Sequence, residues 1–351
     1  MPRQPFSNRC ADAPTVVTVI VFWSILTLVL VATIVVFVSF YRWRQGALKR
    51  LVEGSRIEET RCGPVEYAQT GEGPALVVLH GGMGGWDQGM FLAEDIAEGF
   101  KVISPSRGGY LRTPLSTGRT PEEVADSIIG LLDTLGVEAC GVLGVSGGGP
   151  TALAMTLRHP RRVRALAMAS AISGHHEQPE ITLNDWMARI LFSKAGGYAL
   201  DLTTWFLFLQ IMRIMPRFAI RRLFNATEEL SLVTMAERVE GVMRSPTQRD
   251  YYRRLFECSL PLSVRKIGLD NDLAQFASLP IYPVEEISCA TLVVHGRHDG
   301  NVPFSHAQFV ADGVPDAELF VAETCGHLIW MSDDRDATID CIRSFFQRHL
   351  S

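Results

Sequence analysis

From Thr15 to Tyr41 the chain reads TVVTVIVFWSILTLVLVATIVVFVSFY, without a charge or a proline, and this exceeds the roughly 20 apolar residues that cross a bilayer. The pattern then changes character. Short runs rich in β-branched residues alternate with amphipathic ones: ALVVLH (75–80), FKVISP (100–105), PEEVADSIIGLLDTLG (121–136), ACGVLGVS (139–146), GGPTALAMTLRHP (148–160) and VRALAMASA (163–171). Buried strands alternating with helices predict a mostly parallel sheet covered on both faces. Between about 174 and 286 the alternation gives way to helical periodicity rich in Trp, Phe, Met and Arg. ATLVVHG (290–296), a helix from Ser305, AELFVAE (317–323) and the helix DRDATIDCIRSFFQRH restore it. The expected organisation is a tail (1–14), a transmembrane helix (15–41), a basic linker (42–56), the first part of an α/β core (57–173), a helical cap (174–286) and the second part of the core (287–351).

Charge changes the picture at the amino terminus. A cleaved signal peptide competes with an anchor, but its apolar region is usually about 7–15 residues and ends at a small-residue cleavage site, whereas RWRQGALKR follows here. Arg42, Arg44, Lys49 and Arg50 after the span, against Arg3 and Arg9 before it, place the large carboxy-terminal part in the cytoplasm by the positive-inside rule. The expected localisation is therefore single-pass membrane with a cytoplasmic catalytic domain. With the opposite topology, the sequon at Asn225 would become relevant.

The remaining composition mainly excludes. The chain has 351 residues, 47% hydrophobic and 20% charged, with a net charge of −5; a core of that size excludes a disordered or fibrous protein. The acidic balance gives no footprint for nucleic acid as a partner. The seven cysteines are scattered, odd in number and free of CxxC spacing, which suits a reducing compartment better than a disulfide framework or a zinc site.

The chemistry concentrates at GVLGVSGGGPTALAM (141–155). A nucleophile on a sharp strand-to-helix turn needs small neighbours so that the turn can close. Gly144 and Gly148 flank Ser146 at two residues on either side, completing G-x-S-x-G, and Pro150 stands in the first helical turn, where its missing N–H costs nothing. The helix that starts there directs its positive end at the serine, and the Gly147 N–H is placed to bind an oxyanion. A glycine-rich phosphate loop is the alternative, but neither G-x-G-x-x-G nor the Walker lysine is present.

A serine hydroxyl needs a base, an orienter for the base and donors for developing negative charge. HGGMGGWD from His80 follows a strand candidate and makes the Gly82 N–H the second oxyanion donor ahead of Met83, with His80 holding the loop. LVVHGRHDGNVP puts Asp299 in the turn after a strand, and TCGHLIW puts His327 after the next. The order Ser146, Asp299, His327 matches that chemistry.

Together, HGG-x-GG, SRGGYLRTP, GVSGGG, GRHDGNVP and CGHLIW make residues from roughly 62 to 350 resemble an α/β-hydrolase with a cap domain. That resemblance implies a Ser–Asp–His hydrolase acting on esters, amides or carbon–carbon bonds. Ser146 argues against the relatives with an aspartate nucleophile. Met83, where prolyl aminopeptidases carry proline, and Gly147, where their elbow is usually aromatic, argue against a peptidase.

Other residues have plainer readings. His295 and His298 beside Asp299 lack the further ligands of a metal site, so no metal or organic cofactor is expected. His159 and His349 fit helix carboxy termini, and His175 and His176 read as exposed linker residues. In the insertion, Arg213, Arg217, Arg221 and Arg222 interleave with Phe218, Ile220, Leu223 and Phe224. These helices either pack only over the serine or also rest on a membrane surface. The functional expectation is a membrane-anchored serine hydrolase of carboxylic esters, with a small-molecule or lipid ester, including monoacyl lipids, as its substrate partner. The alternatives are a carbon–carbon bond hydrolase of diketones or ring-cleavage products and a non-catalytic, membrane-tethered binding protein.

Overall fold

The computed structural model describes residues 16–176 and 194–350. The expected tail 1–14, with Arg3, Arg9 and Cys10, and positions 177–193 of the expected cap lie outside the described residues. Two units are distinguished, Met1–Gly46 and Ala47–Ser351.

The first helix, α1 (Val16–Glu53), is long and apolar enough to cross a membrane by length and composition. It also runs through what the sequence presented as a linker. The reason is local: residues 42–53 contain no proline, and Lys49 and Glu53 form an i,i+4 pair at 3.6 Å, the spacing that supports a helix.

Strands β1 (Arg56–Thr60) and β2 (Gly63–Thr70) form an antiparallel hairpin that the apolar pattern does not announce, since β1 is largely exposed. Its tight turn is closed by the Thr60 hydroxyl, which donates to the Gly63 carbonyl at 2.8 Å and accepts from the Cys62 N–H at 3.1 Å. Next come β3 (Ala75–Leu79), α2 (Trp86–Ala93), β4 (Lys101–Pro105) and α3 (Pro121–Thr134). Thr120 and Glu123 build a reciprocal capping box at the start of α3. After β5 (Cys140–Val145), α4 (Gly149–Arg158) and β6 (Val163–Ala169), the cap follows: α5 (Lys194–Thr204) continues through a π-helical stretch, Trp205–Gln210, to Ile214, and leads to α6 (Pro216–Thr227), α7 (Leu232–Arg244), α8 (Pro246–Glu257) and α9 (Lys266–Phe276). The core resumes with β7 (Ala290–Gly296), α10 (Ser305–Gly313), β8 (Glu318–Ala322) and α11 (Arg335–Leu350).

The eight strands form one sheet in the order β1-β2-β4-β3-β5-β6-β7-β8, parallel from β4 through β8 and antiparallel at the β1 edge. Helices cover both faces, as the period-2 alternation of side chains requires. On β5, Gly141 faces α11, where an added Cβ would come 2.6 Å from Leu350, whereas Gly144 faces α4, where it would come 2.7 Å from Ala152. The carboxyl ends of β3, β5, β7 and β8 therefore converge on one edge of the sheet, the usual place for chemistry in such folds.

Candidate active site

Ser146 follows β5 directly, at φ 51°, a left-handed conformation that costs a non-glycine residue about 1–2 kcal/mol. The surrounding atoms hold it there. A Cβ on Gly148 would lie 2.5 Å from the Leu79 carbonyl, and one on Gly149 2.2 Å from the Ile172 carbonyl, so only glycine permits the turn to seat between β3 and the segment after β6. The Ser146 carbonyl accepts the Ile172 N–H at 3.0 Å. The backbone is thereby fixed while the side chain stays half-exposed.

The structure brings the three expected side chains together. His327 Nε2 lies 3.0 Å from Ser146 Oγ, and His327 Nδ1 lies 2.9 Å from Asp299 Oδ2. Asp299 is fully engaged: its Oδ1 accepts the Asn301 and Val302 N–H groups at 2.9 and 2.8 Å, and His295 Nε2 stands 3.3 Å from Oδ2. Burial by itself would raise the Asp299 pKa, but the charge of His327 and hydrogen bonds from His295 and His327 outweigh it and hold the carboxyl well below the usual carboxylate range. An ionised carboxylate on Nδ1 keeps that nitrogen protonated and leaves Nε2 free to take a proton from the serine.

The two expected glycines, Gly82 and Gly147, line the same cavity as the Ser146 hydroxyl. A Cβ on Gly147 would approach the Gly82 nitrogen to 3.4 Å and the Phe276 ring to 3.0 Å, while one on Gly81 would approach the Ser146 Cβ to 3.1 Å. The loop after β3 thus lies against the serine turn, with Met83 in the left-handed region at φ 58°. Two side chains hold the loop. Gln88 Oε1 accepts the Gly81 N–H at 2.9 Å. The buried His80 ring accepts the Arg107 N–H on Nε2 at 3.1 Å, so its Nδ1 carries the proton donated to the Gly81 carbonyl at 2.8 Å. Burial, and then the Arg107 charge, push the His80 pKa well below the ordinary histidine value; the ring is a neutral brace.

Ion pairs fasten the cap over the site. Arg107 makes a two-point contact with Asp272 on α9, at 2.7 and 2.6 Å, while its other N–H groups reach the His80 and Gly81 carbonyls. The Tyr110 hydroxyl donates to the same Asp272 at 2.7 Å. Arg265 binds Asp87 and the Gly84 carbonyl. At the end of α6, the Thr227 carbonyl accepts the N–H groups of Gly300 and His327, and Glu228 makes an antiparallel bridge with Asp299. The Glu228 carboxylate meets Arg238 at 2.9 Å, and burial raises its pKa against the opposing pull of that arginine. None of these cap contacts is visible as a motif; Arg107 and Asp272, like Arg265 and Asp87, lie far apart in sequence.

His176 does not lie in an exposed linker. His176 is buried, with its N–H on the Phe276 carbonyl at 2.9 Å and its ring 5.3 Å from that of His306; the tie to α9 draws it beneath the cap, while His175 stays exposed. His295, near the end of β7, bridges Asp299 and the Val302 carbonyl with its ring. His159 and His349 engage Asp126 at 2.7 Å and Glu318 at 3.9 Å respectively.

A cavity of about 390 Å³ opens on Ser146, Gly82, Gly147 and His327. Its wall is apolar, with Leu223, Phe256, Leu269, Leu273 and Trp330, and its polar members are neutral, among them Gln88, Ser259 and Asn301. No Lys, Arg, Asp or Glu lines it among the described residues. A larger groove of about 480 Å³ runs along Arg50, Trp86, Met90 and Arg254, but the thiol that lines it, Cys258, donates to the Leu255 carbonyl at 3.2 Å and burial pushes its pKa well above the ordinary value, so chemistry rather than size identifies the site.

Comparison with known proteins agrees with this geometry. Residues 74–334 match the family model described as alpha/beta hydrolase fold. The chain is 26% identical to the uncharacterized hydrolase YcgS of Bacillus subtilis (strain 168) over 303 residues, 86% of this chain and 100% of that protein. It is 27% identical to the 2-hydroxymuconate semialdehyde hydrolase of Pseudomonas sp. (strain CF600), covering 74% of this chain and 82% of the relative. Among solved structures, an alpha/beta hydrolase fold protein from Nakamurella multipartita superposes with a TM-score of 0.70 at 32% identity, covering 83% of this chain and 98% of that one.

Proposed function

The chain belongs to the alpha/beta hydrolase family, and from that premise we propose that it is a serine hydrolase of lipophilic carboxylic esters, monoacyl lipids among them, held to a membrane by α1 with its catalytic domain on the cytoplasmic side. The observation that carries this reading is the 3.0 Å approach of His327 Nε2 to Ser146 Oγ at the floor of a cavity with an apolar wall and no charged lining among the described residues.

His327 takes the proton as Ser146 Oγ attacks the ester carbonyl. Asp299 holds the imidazole and stabilises its charged form, and the Gly82 and Gly147 amides receive the oxyanion. Collapse of the tetrahedral intermediate breaks the bond to the alcohol oxygen, which leaves with the proton from His327. Water activated by His327 then releases the acid from the acyl-enzyme. The amides contribute most where the negative charge develops; losing one such donor typically costs roughly 3–4 kcal/mol of transition-state stabilisation.

The second reading, hydrolysis of a carbon–carbon bond, is favoured by the likeness to the 2-hydroxymuconate semialdehyde hydrolase, whose named substrate is a carboxylate. Burying such a charge requires a partner, and the lining offers no cation among the described residues; this supports the ester reading. Turnover of a p-nitrophenyl acyl series against a vinylogous diketone separates the two, with esters expected to lead. Labelling of the full chain by a fluorophosphonate, absent in Ser146→Ala, separates both from a non-catalytic binding protein; labelling that persists in the variant would overturn the assignment of the nucleophile.

A further inference from the structure

The cap carries an outward face that the chemistry at Ser146 does not use. On the helix through Trp205–Gln210 to Ile214, the exposed residues Thr203, Phe206, Leu207, Arg213 and Ile214 recur at helical spacing on one side, whereas Trp205 and Leu209 are buried. On α6 the exposed side holds Arg217, Phe218, Arg221, Arg222 and Asn225, while Ala219, Ile220 and Phe224 pack inward. The corner between them leaves large apolar side chains in solvent: Ile214 is 71% exposed, Met215 54% and Phe218 50%. An apolar cluster of this kind, rimmed by charged residues, marks an interaction surface.

Charge selects the partner. Residues 202–227 contain four arginines and no acidic residue. Arg217 is paired with Glu240; Arg213, Arg221 and Arg222 have no acidic partner among the described residues. Exposed Phe, Ile and Met beside unpaired arginines match a bilayer interface, where rings and aliphatic chains enter the acyl boundary and guanidinium groups meet anionic headgroups. A protein partner would fit the apolar corner, but the three unpaired arginines beside it and the bilayer-length helix of the same chain favour lipid.

We infer that the corner Ile214–Phe218, flanked by Arg213, Arg221 and Arg222, docks on an anionic bilayer surface as a second membrane contact, additional to α1. The outer side of α6 then faces lipid while Leu223 of the same helix lines the active-site cavity. One helix thus joins the lipid surface to the pocket, and an ester dissolved in that surface has its route to Ser146 beside α6. This part deepens the ester reading and rests on it; the docking itself does not.

The test uses the full chain in lipid nanodiscs, of phosphatidylcholine alone or with phosphatidylglycerol added. Hydrogen exchange over residues 205–222 is expected to slow when the anionic lipid is present and to return to the neutral-disc rate in R213E/R221E/R222E, each arginine being worth about fivefold in association with an anionic surface. In I214D/F218D the protection is lost, and KM for an ester dissolved in the disc rises roughly fivefold to tenfold, with kcat/KM on a short water-soluble ester unchanged. Equal exchange in both discs overturns the docking, as does protection that appears in neutral discs only when two copies share a disc, which would make the corner a self-association face. If no ester turns over while anionic protection stands, the ester reading fails and the docking survives.

Discussion

The two walls of the active site are held by different forces. On the sheet side, position is fixed sterically: Ser146 sits in a left-handed turn closed by glycines that have no room for a Cβ. On the cap side it is fixed by charge: Arg107 pairs with Asp272 and Arg265 with Asp87 across to the core, and Arg238, paired with Glu228 inside the cap, donates to the core carbonyls of Thr324 and Met331. Close packing tolerates little change of volume, whereas an ion pair responds to pH and fails when one partner is removed. The sheet side is therefore brittle to size and the cap side brittle to charge.

The contrast can be broken on either wall. The largest effect belongs to the chemistry itself: Ser146→Ala should lower ester turnover by several orders of magnitude, by analogy with other triads, with thermal stability maintained or increased because alanine keeps the small side chain. Gly148→Val should then collapse the sheet wall, since the new Cβ meets the Leu79 carbonyl at 2.5 Å; overpacking typically costs about 1–3 kcal/mol or more, and denaturant unfolding together with loss of fluorophosphonate labelling checks it. On the cap wall, Asp272→Ala strands the buried Arg107 and should cost about 3–5 kcal/mol. If chemical denaturation shows Asp272→Ala to be as stable as wild type, the clamp is not what holds α9.

A pH series sharpens the same distinction. Asp299 has a folded pKa below its unfolded value, so the folded state binds fewer protons there; its stabilisation is complete above the ordinary aspartate range and is lost as pH falls toward the depressed value. Glu228 has a raised folded pKa and acts in the opposite sense, destabilising the folded state as pH rises above the ordinary glutamate range. Arg238→Met removes the opposing charge, so its stability deficit against wild type should grow between pH 4 and 7, a window taken from ordinary carboxylate values of about 4 upward. A deficit that is flat with pH would remove Glu228 from the account. The smallest expected effect is Thr120→Ala, which opens the capping box of α3 far from either wall, costs about 1 kcal/mol and leaves turnover unchanged in a thermal melt and an ester assay.

Much of the sheet wall was legible because its determinants are local. Glycine spacing around Ser146, the apolar run of β5 and Pro150 all lie within a few residues of one another, and Asp299 and His327 each close a strand that hydrophobicity marks. The β1–β2 hairpin was not legible, since the exposed RIEET strand carries no alternation and its turn rests on the Thr60 hydroxyl. The cap clamps were illegible for another reason: Arg107 and Asp272 are paired across 165 residues, and nothing in either local sequence names the other. His176 was misread because its burial depends on one backbone bond to Phe276, a contact between the two ends of the insertion.

The Thr227 carbonyl receives amide hydrogens from the turn that bears Asp299 and from the residue His327 itself. Grafting a foreign lid in place of residues up to 229 would strip an acceptor from both. Exchanging specificity between relatives by transplanting this region therefore requires keeping Thr227 to Glu229 with the recipient's own acid and base loops, or moving all three segments as a set.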